Sequence, residues 1–174
     1  MDGTTYGIDH LDPFEFRVDV SHVDGKPGRP GRSAFSIAMP VHFSHHCFTT
    51  AYENGEFIDA RSAYTDTRRG ETRKFCPARW ALSKELAGVI RGLQARRCYL
   101  TGRDNFFTVN AGHQPGDYIV YFNIRMLGAG KALFFVESAY VRFDAPQRQR
   151  GVQKISLSAI LRNVRLGCRP RRSS

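Results

Sequence analysis

The chain has no run of about 18 apolar residues, the length a helix needs to cross a bilayer, so no membrane span is expected. It has only four cysteines, Cys47, Cys76, Cys98 and Cys168, at wide and irregular spacings. Its first residues, Met1-Asp2-Gly3, lead into no apolar stretch, so no secretory signal is expected either. Together these features point to reduced thiols in a cytoplasm rather than a disulfide framework. The sequence also has no Walker loop, no Gly-rich dinucleotide fingerprint and no G-x-S-x-G elbow. That removes the phosphate-loop, dinucleotide and serine-hydrolase readings. Carboxylates are scarce beyond residue 66, and no D…E-x-K nuclease pattern stands out. No internal repeat is visible.

What is present suffices for one core. The chain has 174 residues, 41% of them apolar and 12% aromatic, with 13 Phe. The net charge is +10, and its distribution says more than its size. Residues 1–66 hold five Lys/Arg against ten Asp/Glu, a balance of −5. Residues 67–174 hold 21 against six, a balance of +15. Most of that excess is Arg, whose planar fork suits phosphate oxygens. Such a field draws in nucleic acid at long range, so a nucleic-acid-binding protein (RNA favoured over DNA) is the leading expectation. A membrane surface fits poorly, because no basic amphipathic helix is evident. An accessory or inhibitory protein that binds an acidic protein partner fits the same charge.

Residues 1–12 read as a loose arm, 13–167 as a single domain and 168–174 as a basic disordered tail. Phe14, Phe16, Val18 and Val20 alternate with Glu15, Arg17 and Asp19, which makes a strand with one buried face. Phe35, Ile37, Met39, Val41 and Phe43 alternate in a second strand, where Pro40 suggests an edge or a bulge. Residues 53–74 are polar and read as a long exposed loop. Pro77 or Ser83 opens a helix carrying Leu82, Leu86, Val89, Ile90 and Leu93 at helical spacing. Period two returns after Cys98, giving strands over about 98–109, 118–126, 132–143 and 154–165. Short connections between them imply antiparallel pairing. The expected fold is α+β: a twisted, mostly antiparallel sheet of about five to six strands with one main helix packed on one face. A helix followed by antiparallel strands and a basic C-terminus resembles the arrangement of small RelE/ParE-type toxins, without any shared motif.

The densest chemical feature is His42-Phe43-Ser44-His45-His46-Cys47. In an extended strand His42 and His46 share a face but lie roughly 13 Å apart, too far for one tetrahedral zinc. His45 and Cys47 are a better pair, with about 7 Å between their α-carbons. Cys76 and His113 are candidates to complete four ligands. The spacing matches no zinc finger, so no cofactor is expected, and zinc is the alternative. Cys47 beside a histidine also raises a thiolate–imidazolium reading. A further alternative is a small metal-independent ribonuclease or toxin. It would use His42 or His46 for proton transfer and arginines for the phosphate. The candidate nucleic-acid contacts are Arg68, Arg69, Arg73, Lys74, Arg96, Arg97, Arg103, Arg125, Arg142 and Arg162, with Tyr99, Tyr121 and Tyr140 available to stack bases. Phe75 and Trp80 read as anchors of the loop in the core. Glu137, inside an apolar strand, is expected to pair with Arg125 or Arg162.

Overall fold

The computed structural model describes residues 5–28, 30–67, 70–101, 106–110, 116–143 and 153–168, with the backbone alone for Phe106 and Phe107. In chain order the strands are β1 (Phe14–Val20), β2 (Phe35–Phe43), β3 (Thr49–Thr50), β4 (Ala63–Asp66) and β5 (Glu71–Phe75). Helices α1 (Pro77–Ser83) and α2 (Leu86–Arg91) follow. After them come β6 (Cys98–Leu100), β7 (Phe106–Asn110), β8 (Asp117–Gly128), β9 (Lys131–Arg142), β10 (Lys154–Ile155) and α3 (Leu157–Arg165).

The larger sheet has seven strands in the order β1-β2-β9-β8-β7-β6-β10, and the smaller has three in the order β3-β5-β4. This overturns the expected sheet of five to six strands under one main helix. Strands take 44% and helices 22%, and the larger sheet curls into a half-barrel beside several short helices. The helix expected from Pro77 is two helices and a 3-10 turn at Leu93–Ala95. At the junction the Glu85 N–H bonds the Leu82 carbonyl, a tighter i→i−3 step. Gly88 and Gly92, poor helix formers, keep α2 short. The strand expected at 154–165 is only two residues of β10 before α3 begins. Ser156 caps α3 by accepting from the Ala159 N–H, and Leu157, Ile160, Leu161 and Val164 lie at helical spacing. The exposed loop expected at 53–74 contains β4 and most of β5, which pair antiparallel across Gly70 at φ 64°.

β2 lies inside the sheet. It pairs antiparallel with β1 on one side and parallel with β9 on the other. The β9 ladder joins Ala38 to Lys131, skips Met39 and Pro40, and resumes from Val41 opposite Phe134. Pro40 has no N–H to offer, so the ladder lapses there instead of placing β2 at an edge. One core runs along a single face of the curled sheet. It takes Val18, Ile37, Met39, Val41, Val120, Phe122, Ile124, Phe134 and Val136 from the strands, Leu86, Val89 and Ile90 from α2, and Leu157, Ile160 and Leu161 from α3. The described part of the arm is packed: Leu11 is buried, the Trp80 indole donates to the Gly7 carbonyl, and Tyr6 lies edge-on to the Trp80 ring. Among the described residues no helix is long and apolar enough to cross a membrane.

Candidate functional site

β2 ends at Phe43, and Ser44 turns the chain. The Ser44 hydroxyl accepts from the His46 N–H at 3.2 Å and caps a 3-10 turn over His45–Cys47. The turn abolishes strand alternation. His45 and His46, which a strand would send to opposite faces, meet with ring centroids 4.5 Å apart, while Cys47 enters the core. The β4–β5 hairpin supplies the rest of the cluster. Glu71 Oε2 lies 3.3 Å from His46 Nε2 and 3.8 Å from His45 Nε2. Asp66 faces His45 Nδ1 at 3.7 Å, and the Tyr64 ring stacks on His45 at 5.1 Å. Arg73 donates to Glu71 Oε1 at 2.7 Å and to Thr49 Oγ1 at 2.9 Å.

The electrostatics reflect this packing. Burial, helped by the neighbouring His46, holds the His45 imidazole below its ordinary pKa against the pull of Asp66 and Glu71. The hydrogen bond from Arg73 holds the Glu71 carboxyl below its ordinary range. His45, His46 and Glu71 each bring one potential ligand atom within 4.8 Å of the others. Neither Cys47 nor Cys76 joins them. Cys47 is fully buried, and burial pushes its thiol up to about 12, which removes the thiolate–imidazolium reading. Cys76 stands at the N-cap of α1. His42 is exposed in β2 and is not part of the cluster of His45, His46 and Glu71. His113 lies outside the described residues.

Beyond the end of β2, β9 borders the histidine turn and α1. Arg79 of α1 donates to the carbonyls of His46 at 3.2 Å and Thr49 at 2.8 Å. Its guanidinium lies over the Tyr140 ring, 4.7 Å from the centroid. Tyr140 stacks on Tyr121 with centroids 5.4 Å apart and planes 15° apart. Arg142 donates to the Tyr121 hydroxyl at 3.1 Å. Burial, and the bond with Tyr140, raise the Tyr121 phenol. The result is a file of guanidinium, two stacked rings and a second guanidinium. It runs along the sheet face opposite the core, with Asn123 and exposed Arg125 further along β8. Glu137 sits at an irregularity in the β8–β9 ladder and accepts from the Asn123 amide, in place of the expected arginine partner.

Several expected nucleic-acid contacts have structural partners. Arg73 holds Glu71, Lys74 is paired with Glu56, and Arg96 donates to the Asn110 carbonyl. Arg162 is buried and donates to the carbonyls of Ser21 and Ser33. Arg97 and Arg125 are exposed, and Arg68, Arg69 and Arg103 lie outside the described residues. A cleft of about 1020 Å³ between the 23–35 segment and the end of α3, lined by Lys26, Arg32, Phe35 and Arg165 among others, was also missed. Only the fold brings these cations together. Glu71 and Asp66 were missed because their segment looked like loop, although Tyr64-Thr65 and Thr72-Arg73 around Gly70 carry a hairpin signal.

The model of the YjaZ family matches residues 1–165. No curated protein and no solved structure matches the chain. A match over nearly the whole length settles the membership: this chain belongs to the YjaZ family.

Proposed function

We propose that the chain is a nucleic-acid-binding protein, with single-stranded RNA its favoured partner. One observation carries this reading: the file of Arg79, Tyr140, Tyr121 and Arg142. Guanidinium groups and aromatic rings interleaved on one sheet face suit the phosphates and bases of a single strand. The charge of residues 67–174, 21 Lys/Arg against six Asp/Glu, supports the same partner. Arg125, exposed on the same face of β8, extends the path by one cation.

Fluorescence anisotropy with a labelled single-stranded RNA tests the proposal. The logarithm of the affinity should fall linearly with the logarithm of salt concentration, and a flat response overturns the reading. Tyr140→Ala, which removes the ring between Arg79 and Tyr121 and so dismantles the file, should weaken binding. Arg125→Ala should weaken binding uniformly across sequences and flatten the salt slope by about one unit.

A further inference from the structure

We propose that His45 Nε2, His46 Nε2 and Glu71 Oε2 form a binding site for one divalent transition-metal ion of the zinc class, with a coordination position left for water. The inference does not depend on nucleic-acid binding.

The donor set comes first. Two imidazoles and a carboxylate suit zinc and its neighbours in the first row, whereas calcium and magnesium take oxygen alone. The spacing agrees. Ligands held 2.0–2.1 Å from a tetrahedral zinc stand roughly 3.3 Å from each other. Glu71 Oε2 is already 3.3 Å from His46 Nε2, and the 3.8 Å to His45 Nε2 closes with a small turn of one side chain.

The second observation is independent of proximity. The His45 side chain is only 7% exposed, and among the described residues its Nε2 has no hydrogen-bond partner. A buried imidazole nitrogen aimed at a carboxylate oxygen and a second imidazole, yet bonded to neither, lacks a partner that a metal ion would supply. Hydrogen bonding within the cluster accounts for His46 and Glu71 but not for this atom.

The surrounding groups are arranged as metal sites require. The other nitrogen of His45 faces the Asp66 carboxylate at 3.7 Å, which places beside it the kind of outer carboxylate that orients a ligating imidazole once the two close to hydrogen-bond distance. Arg73 occupies Glu71 Oε1, which fixes the carboxylate and directs Oε2 toward the histidines. With three protein ligands, the site would be of the open kind, in which water completes the coordination.

The test uses the untagged full chain, equilibrated with zinc, desalted and assayed by elemental analysis, with cobalt as a spectroscopic substitute. The expected result is one zinc retained per chain and the visible absorption of tetrahedral cobalt. The double variant His46→Ala/Glu71→Gln should lose both signals. Asp66→Asn should weaken zinc binding about 10–100-fold while the ion still binds. His22→Ala, an exposed histidine outside the cluster, should change nothing. A wild-type chain that retains no zinc overturns the proposal, as does a folded double variant that retains it. If the double variant fails to fold, the wild-type imidazole NMR resonances decide. Zinc must shift those of His45 and His46, and unshifted resonances overturn the site.

Discussion

The two sheets are held together by different physics. In the larger one, β8 and β9 turn Tyr118, Val120, Phe122, Ile124, Phe134 and Val136 into the core, all essentially without exposure. Its stability is that of removing apolar area from water, with close-packed contacts such as the 4.6 Å stack of Phe122 on Phe134. In the smaller one, no residue of β4 or β5 is fully buried. Polar ties hold it: Lys74 to Glu56, Arg73 to Glu71 and Thr49, and Thr65 to Thr72. The chemical groups cluster on the polar sheet because an apolar face would penalise them, while the rigid sheet beside it fixes their positions.

Substitutions that act on one sheet alone test this division. The largest effect is expected from Phe122→Ala, which empties a fully buried site in the larger sheet and should cost about 3–5 kcal/mol in denaturant unfolding. Arg79→Met comes next, because it removes the tie between α1 and the histidine turn. Losing charge-assisted bonds to two carbonyls should cost about 1.5–3 kcal/mol. It should also disturb the histidine ring resonances, an effect that Phe122→Ala should lack at equal fraction folded. The smallest effect is expected from Glu56→Gln, which unpairs Lys74 on the surface and should leave the thermal midpoint unchanged. A large loss there would show that individual ion pairs carry the smaller sheet and would break the comparison.

The strands with a clean period of two were legible from sequence. Phe14 to Val20 and Phe35 to Phe43 alternate as written, because each buries one face, and the β8–β9 hairpin alternates from Val120 to Arg125 and from Lys131 to Val136. α3 was misread since Ile155, Leu157, Ala159 and Leu161 also alternate. The Ser156 cap and the Leu157–Ile160–Leu161–Val164 spacing decide for a helix. Antiparallel pairing of the later strands is implied by their short connections. The parallel pairing of β2 with β9 could not be read that way, because it joins segments far apart in the chain. The site was half visible. The histidines drew notice, but strand geometry was carried past the end of β2 at Phe43 and on to Cys47. Glu71 and Asp66 reach them only through a hairpin whose polar strands bury too little to show a period.

The parallel junction of β2 and β9 has a consequence for how the chain is made. As the protein emerges from the ribosome, β1 and β2 can close into a hairpin early, since their partners are local. The other edge of β2 must wait for Val41 to find Phe134, with all three smaller-sheet strands, α1, α2 and three further strands made in between. Until then the N-terminal hairpin presents an unpaired row of backbone donors and acceptors beside Ile37, Met39 and Val41. Closure of this protein is therefore a late, long-range event. The nascent chain is most exposed to mispairing just before its last third is synthesised.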